Sequence, residues 1–289
     1  MLRSISVDWI KIFVLGVSLF VSIHGQANQV NKPYTFYVVP QTSPVSIHRA
    51  WIPVLQRLSK ETGFTFELKI PPTITAFESD LFKGKPDFAF MNPYHFILAR
   101  KRLGYTGLVR DSYLPLKGII VVKNDSLIRS IDELDGKELA FPSPNAFAAS
   151  LYIRAILASK GIKVIPKYVN THGNVYRNVL LEDVVAGGGI NNTFDRESIE
   201  VRSQLRILYV TPSTCPHPLA ASSRMPDEVR EKVILALIKL ASDPANEPMF
   251  DDIQMQKPVR VDYDRDYAGL ETLRLDKFFV EDSDEKFTP

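Results

Sequence analysis

The sequence predicts an α/β protein with two lobes, each built on a largely parallel sheet. Strand-like and helix-like segments alternate along the chain, which is the pattern of α/β sheets. The series is interrupted by a charged stretch, Asn124–Gly136, and a new series starts at Glu138. Two strand-like connections, near 118–122 and 208–221, are predicted to cross between the lobes. The predicted extents are residues 28–117 plus 218–289 for lobe one and 118–217 for lobe two.

The elements of lobe one follow from the local residue patterns. Aromatic and β-branched runs that end at a proline predict strands, and apolar residues at helical spacing predict helices. In the first helix, Trp51, Val54 and Leu58 share one face, and Gly63 is a stop signal. The predicted elements are a strand over 34–40, a helix over 47–62, a strand over 64–70, a helix over 76–83, a strand over 87–91 and a helix over 94–103.

Lobe two repeats the pattern, and the chain then returns to lobe one. The return is a helix over 227–241, in which Val229, Val233 and Leu237 lie on one face and acidic residues occupy the first turn. The elements predicted for lobe two are a strand over 138–141, a loop over 142–145, a helix through 160, a strand over 167–170, a helix over 175–182, a strand over 184–190 and a strand over 205–210.

Residues 1–27 have the pattern of a secretory signal peptide. Arg3 and Lys11 precede a mostly apolar run over 12–23, and the small residues Gly25 and Ala27 stand at positions −3 and −1 of a cleavage site. A membrane anchor is the competing interpretation, but a run of about 12 residues is shorter than the roughly 20 that span a bilayer. We therefore expect export to the periplasm with cleavage of this segment.

The charge balance excludes several classes of protein. Removal of residues 1–27 takes away two basic side chains, Arg3 and Lys11, and one acidic side chain, Asp8, so the formal net charge of +2 becomes +1. A chain this close to neutrality is not typical of nucleic-acid binders. The remaining histidines do not have the short sequence spacing that is typical of metal ligands, so the sequence predicts no metal site and no cofactor. These histidines are His48, His95, His172 and His217.

Cys215 is the only cysteine, so no internal disulfide can form. It is also the most obvious nucleophile, because His217 follows two residues later and would share its face in a strand. No signature of a cysteine hydrolase surrounds this pair. We therefore expect a protein that is not an enzyme.

Several motifs resemble the phosphate-, phosphite- and phosphonate-binding components of bacterial ABC importers, and the resemblance spans nearly the whole mature chain. No single motif is decisive, but their order and spacing are specific. The motifs are Val39–Gln41, Pro72–Glu78, Asp87–Tyr94, Gly136–Pro144, Thr171–His172, Gly187–Thr193 and His217–Pro218.

This resemblance implies a type II periplasmic-binding-protein fold, with two crossing strands as the hinge. It also implies that a small oxyanion, namely phosphate, phosphite or a phosphonate, is captured between the lobes by hinge closure. The expected partners are this ligand and the ABC transporter permease in the inner membrane, and the protein is expected to be a monomer.

The best candidate for the oxyanion site is the loop Pro142–Ala146, which joins a strand to the start of a helix. The first N–H groups of a helix have no partner within it, and the helix dipole adds positive potential there. Relatives commonly place serine and threonine hydroxyls at this helix start, whereas this chain has Ala146, Phe147 and Ala148. The local side-chain donors are therefore Ser143 and Asn145, although Asn145 is equally well explained as a helix N-cap.

Other candidates follow predicted strands. The resemblance assigns His172 to the anion, with an exposed loop histidine as the alternative interpretation. Asn92 and Tyr94 follow a strand and face the cleft, with a turn and a half-buried tyrosine as the alternative interpretation. Asn192 and Thr193 follow Gly187–Gly189, which either allow close approach to the ligand or simply pack tightly. Uncharged donors from lobe one complete the set, namely Thr42 and Ser43 in the first loop and Thr73 and Thr75 in the second.

Two further functions remain open at this level. The same lobes suit a periplasmic sensing module that reports to a membrane sensor kinase. The apolar residues at 146–148 also favour a binder of another small organic anion.

Overall fold

Two mixed β-sheets organise the computed structural model, which describes residues 32–281. The strands are β1 (Tyr34–Val38), β2 (Phe66–Lys69), β3 (Phe88–Phe90), β4 (Thr106–Asp111), β5 (Gly118–Lys123), β6 (Glu138–Phe141), β7 (Ile165–Tyr168), β8 (Ala186–Ile190), β9 (Leu205–Val210), β10 (Pro218–Ala221) and β11 (Pro258–Arg260).

The helices lie mainly between these strands. They are α1 (Pro44–Thr62), α2 (Ile74–Phe82), α3 (Pro93–Leu103), α4 (Tyr152–Ser159), α5 (His172–Leu180), α6 (Asn191–Asp195), α7 (Ile199–Arg202), α8 (Asp227–Ala241), α9 (Glu247–Asp252) and α10 (Tyr263–Asp266). A wide π-helical turn, Phe147–Leu151, leads directly into α4. The bounds of α8 are those predicted from the sequence.

Sheet I has the strand order β11-β4-β10-β3-β1-β2. Trp51 of α1 packs on this sheet, with its ring centroid 5.1 Å from that of Phe36 and 5.0 Å from that of Phe90. The helix begins three residues earlier than predicted because Ser43 caps it and Pro44 fits the first turn. It ends at Gly63 in the left-handed conformation, as the stop signal predicted.

Sheet II has the strand order β7-β6-β8-β5-β9 and is covered on both faces. Along β5, Ile119 and Val121 join a buried cluster with Val175 of α5, while Ile120 and Val122 join a second cluster with Ile153 of α4. Successive side chains of a strand point to opposite faces. The unbroken apolar run of β5 is therefore the pattern of a strand that is buried on both sides.

The expectation of largely parallel sheets is wrong. The pairs β1–β2, β1–β3, β6–β7 and β6–β8 are parallel, but β10 runs antiparallel to β3 and β4, and β5 runs antiparallel to β8 and β9. Both β5 and β10 enter their sheet directly after the chain has passed from the other sheet, without a preceding crossover helix. Residue patterns do not encode this direction.

The chain passes between the sheets at residues 112–117 and 211–217. The first passage lies just before the segment near 118–122 that we expected to cross, because that segment is β5 itself. Leu116 and Thr214 exchange two backbone hydrogen bonds of 3.0 and 2.9 Å, so the two passages lie side by side. β4 was not predicted, because Thr106–Asp111 contains a glycine and two charged residues and lacks apolar alternation.

The predicted signal peptide and residues 282–289 lie outside the described residues. Within residues 32–281, none of the helices combines the length and the apolar character that crossing a membrane requires.

Candidate functional site

The two sheets face each other across a small cavity. The carboxyl ends of β1 and β3 and the start of β10 form the edge of sheet I beside it, and the end of β8 belongs to the facing edge of sheet II. Its volume is about 10 Å³. The lining residues are Val39, Gln41, Ile74, Asn92, Ala146, Phe147, Ala148, Ala149, His172, Ile190 and His217.

One wall of the small cavity is the start of the helix that runs from Phe147 through α4. Ser150 and Leu151 both donate from their backbone N–H to the carbonyl oxygen of Ala146, at 2.8 and 3.1 Å. Within the described part of the chain, nothing accepts a hydrogen bond from the backbone N–H of Phe147, Ala148 or Ala149. Three unpaired donors at the positive end of a helix dipole are suited to an oxyanion.

Two glycines allow this helix start to lie directly on sheet II. A Cβ atom at Gly118 would lie 2.2 Å from the carbonyl oxygen of Ala148, and one at Gly188 would lie 2.2 Å from that of Ala149. The neighbouring Gly187 and Gly189 allow Val175 and Tyr176 to pack on the other face. The glycines of β8 therefore serve close packing, and they do not line the small cavity.

Neutral polar side chains form the rest of the small cavity. Gln41 Nε2 lies 3.0 Å from His217 Nε2, and the His217 ring stacks on Phe90 with centroids 5.6 Å apart. His172 is buried and its Nδ1 atom has no hydrogen-bond partner among the described residues. No Lys, Arg, Asp or Glu belongs to the described residues that line the cavity.

Both cavity histidines are held in the neutral form. Burial lowers the pKa of His172 from 6.5 to about 4. Burial, with a further contribution from nearby His95 and His172, lowers the pKa of His217 from 6.5 to about 3. At neutral pH the cavity therefore offers N–H donors without a formal charge.

A buried polar network next to the small cavity connects the two sheets. Asn92 caps α3 by accepting from the His95 N–H at 2.8 Å, and its Nδ2 atom donates to the Asn145 carbonyl oxygen at 3.2 Å. His95 Nε2 lies 2.7 Å from Glu78 Oε1, and Asn145 Nδ2 donates to Glu78 Oε2 at 3.1 Å. The structure thus places Asn92 both at the cavity and in this network.

The remaining predicted residues lie in several places. Thr42 and Thr193 line a larger cavity of about 730 Å³, which shares Val39, Gln41 and His172 with the small one. Asn192 donates to Gln254 Oε1 at 3.3 Å and lines a different cavity.

Besides Asn192, the candidates Thr73, Thr75, Tyr94, Ser143 and Asn145 also line neither the small nor the larger cavity. Thr73 caps α2 by accepting from the Ala76 N–H at 3.1 Å. Tyr94 is buried against Phe279, and Ser143 is buried without a partner for its hydroxyl oxygen among the described residues. The Asn145 side chain is bonded to Glu78 and to the backbone of Val280.

Sequence reasoning did not select Gln41, His217, Glu78 or His95 as site residues. Gln41 and His217 could have been selected from the sequence, since both lie in the motifs that carry the family resemblance and both flank a strand. The sequence marks Glu78 and His95 less clearly, because each is only a polar residue among the apolar positions of a helix. The structure shows that both are buried.

A sequence model of the family described as "ABC transporter, phosphonate, periplasmic substrate-binding protein" matches residues 36–267. No curated protein matches the chain significantly in sequence.

Solved structures of binding proteins resemble this fold. A binding protein component of an ABC phosphonate transporter from Pseudomonas aeruginosa is 17% identical with a TM-score of 0.75, over 86% of this chain and 87% of that chain. PhnD1 from Prochlorococcus marinus in complex with methylphosphonate is 14% identical with a TM-score of 0.75, over 84% and 97%. XAC2383 from Xanthomonas citri bound to chloride ion is 19% identical with a TM-score of 0.71, over 85% and 98%. At identities this low the matches show the fold alone, which is that of two-lobed periplasmic binding proteins.

The close approach at Gly188 leads to a stability prediction. Gly188→Ala should reduce the free energy of unfolding by about 1–3 kcal/mol, because the new methyl group must displace the helix start or sheet II. Gly269→Ala is the matched control, since no atom lies within 4 Å of the Cβ position there. Urea unfolding of both variants measures the difference. Equal stability of the two variants would show that the helix start does not contact β8 in this way.

The buried neutral histidines lead to a pH prediction. Because the folded state keeps the pKa of His172 and His217 at about 4 and about 3, the unfolded state binds more protons below pH 6.5. The free energy of unfolding should therefore fall as the pH drops from 6.5 towards 3, by up to about 1.4 kcal/mol per pH unit for each histidine.

Urea unfolding at pH 7 and pH 5 tests this, with the double variant His172→Asn/His217→Asn as the comparison. The double variant should lose less stability than the wild type over this interval. An identical loss in both proteins would mean that these histidines are not buried in the neutral form.

Proposed function

Because the chain belongs to the family of periplasmic substrate-binding proteins of ABC phosphonate transporters, we propose that it binds the phosphorus oxyanion of its ligand in the small cavity and delivers the ligand to an inner-membrane permease. The observation that carries this proposal is the set of unpaired N–H groups at Phe147, Ala148 and Ala149. Binding and release require no chemistry on the ligand.

The proposed ligand contacts come from both sides of the cleft. The backbone of residues 147–149 and His172 belong to the sheet II side, whereas Gln41 and Asn92 follow strands of sheet I. A ligand that bonds to both sides stabilises the arrangement in which the sides are close together. This supports capture by hinge closure about residues 112–117 and 211–217, with residues 28–117 plus 218–289 moving against 118–217.

The size of the small cavity supports the same motion. A volume of about 10 Å³ is close to the space that one water molecule needs. A phosphorus atom with three or four substituents is larger, so the two sides must separate to admit it and then close around it.

The chemistry of the small cavity favours a phosphonate or phosphite over phosphate. Its lining combines polar groups with apolar ones, which are contributed by Val39, Ile74, Phe147 and Ile190. The fourth oxygen of phosphate would lie against this apolar surface without a partner, which is unfavourable for a buried polar group. A P–H or P–C bond has no such requirement.

The larger cavity supports an organic substituent on the ligand. It adjoins the small cavity through Val39, Gln41 and His172, and its volume is about 730 Å³. We propose that the phosphonate group occupies the small cavity and that its carbon chain extends into the larger one.

A ligand screen tests the proposed function. Methylphosphonate, aminoethylphosphonate or phosphite should raise the Tm of the purified protein more than phosphate, sulfate or arsenate at equal concentration, because a ligand that binds only the folded state stabilises it. Differential scanning fluorimetry measures the shift, and isothermal titration calorimetry confirms the order. A larger shift with sulfate than with every phosphorus compound would contradict the proposal.

A substitution at Asn92 tests the site. Asn92→Asp keeps the oxygen that caps α3 but replaces Nδ2, which donates to the Asn145 carbonyl oxygen and is the proposed donor to the ligand, by a carboxylate oxygen, which repels an anion. The affinity for the best ligand should fall about 10- to 100-fold, as expected for loss of a buried hydrogen bond to a charged group. The matched control is Asn124→Asp, the same amide-to-carboxylate change after the end of β5, at a residue that lines neither the small nor the larger cavity. Equal affinities of the two variants would place the ligand elsewhere.

A further inference from the structure

The residues that follow the short 3-10 helix Leu275–Lys277 reach from one side of the cleft to the other. We call residues 278–281 the C-terminal strap. On the sheet I side, the Phe279 ring lies 6.3 Å from that of Phe82 in α2 and 5.7 Å from that of Tyr94 in α3. Arg102 of α3 is paired with Glu281. These contacts attach the strap to α2 and α3.

The strap also bonds to the sheet II side. The Val280 N–H donates to Asn145 Oδ1 at 2.9 Å, and Asn145 Nδ2 donates to the Val280 carbonyl oxygen at 2.7 Å. Arg154 of α4 donates to the Phe278 carbonyl oxygen at 3.1 Å and to the Pro144 carbonyl oxygen at 2.7 Å. The strap is thus a third connection between the two sides, in addition to the passages at 112–117 and 211–217.

Asn145 stands directly before the residues whose unpaired N–H groups line the small cavity. Its side chain is held by Val280 and Glu78, and its carbonyl oxygen accepts from Asn92. The groups that hold it all belong to the sheet I side or to the strap. The position of the helix start therefore depends on contacts that the opening of the cleft would break.

We propose that Asn145 and the C-terminal strap are positioning elements for the oxyanion site, which hold the start of the helix at Phe147 in place and stabilise the closed cleft before the ligand binds. The expected effect on ligand affinity rests on the proposed function. When the protein already populates the arrangement that binds the ligand, less binding free energy is needed for the conformational change. The apparent affinity is then closer to the intrinsic affinity. Groups that are preorganised also lose less freedom on binding.

The test uses two substitutions at one position. Val280→Pro removes the N–H that donates to Asn145 Oδ1, whereas Val280→Ala keeps it. The Val280 side chain is 50% exposed, so neither change opens the core. Relative to Val280→Ala, Val280→Pro should bind methylphosphonate about tenfold more weakly, which corresponds to about 1.4 kcal/mol of binding free energy. The change should lie in the dissociation rate constant. The Tm of the ligand-free protein should differ little.

Small-angle X-ray scattering of the ligand-free proteins gives a readout that does not depend on the ligand. Val280→Pro should have a larger radius of gyration than Val280→Ala and the wild type. Equal radii of gyration for the three proteins would overturn the inference. If the wild type binds none of the phosphorus oxyanions, the proposed ligand is wrong, and the scattering comparison alone decides the role of the strap.

Discussion

The site depends on how closely the start of the helix at Phe147 approaches sheet II. Hydrogen atoms at Gly118 and Gly188 allow the carbonyl oxygens of Ala148 and Ala149 to touch the strands. Like every helix start, this one leaves its first N–H groups without intrahelical partners, and such groups are usually satisfied by a side-chain cap. No side chain of the described residues caps the N–H groups of Phe147, Ala148 and Ala149, so they are available to the oxyanion of the proposed function.

No charged side chain of the described residues lines the small cavity itself, which has a consequence for a protein that must both bind and release a ligand. A buried lysine or arginine would pair well with an anion but would be left unpaired after release, which is costly in an apolar surrounding. The backbone N–H groups carry no net charge, and burial keeps the rings of His172 and His217 neutral in the described structure. Under the proposed function, such oriented dipoles would allow the cleft to close on an anion and to reopen without leaving a buried, unpaired charge.

The sequence predicted the order of most elements. Asn92 was predicted from its position after a strand and His172 from the family resemblance, and both line the small cavity. The remaining contacts join residues far apart in the chain, such as Gln41 with His217 and Asn145 with Val280. Strand direction and these pairings are set by how the chain passes between the two sheets, and local patterns of apolar residues carry no information on that path.

The residues at 146–148 show how a departure from the expected motif alters a site without removing it. Hydroxyl groups at this helix start would add donors to those of the backbone, whereas Ala146, Phe147 and Ala148 add only apolar surface. The Phe147 ring stacks on Tyr152 at 5.8 Å, with the two planes 5° apart, and is buried. Phe147 therefore contributes apolar surface to the lining, and its donor to the cavity is its backbone N–H group. Under the proposed function, a ligand that suits this mixed lining would be a phosphorus oxyanion with a hydrogen or carbon substituent.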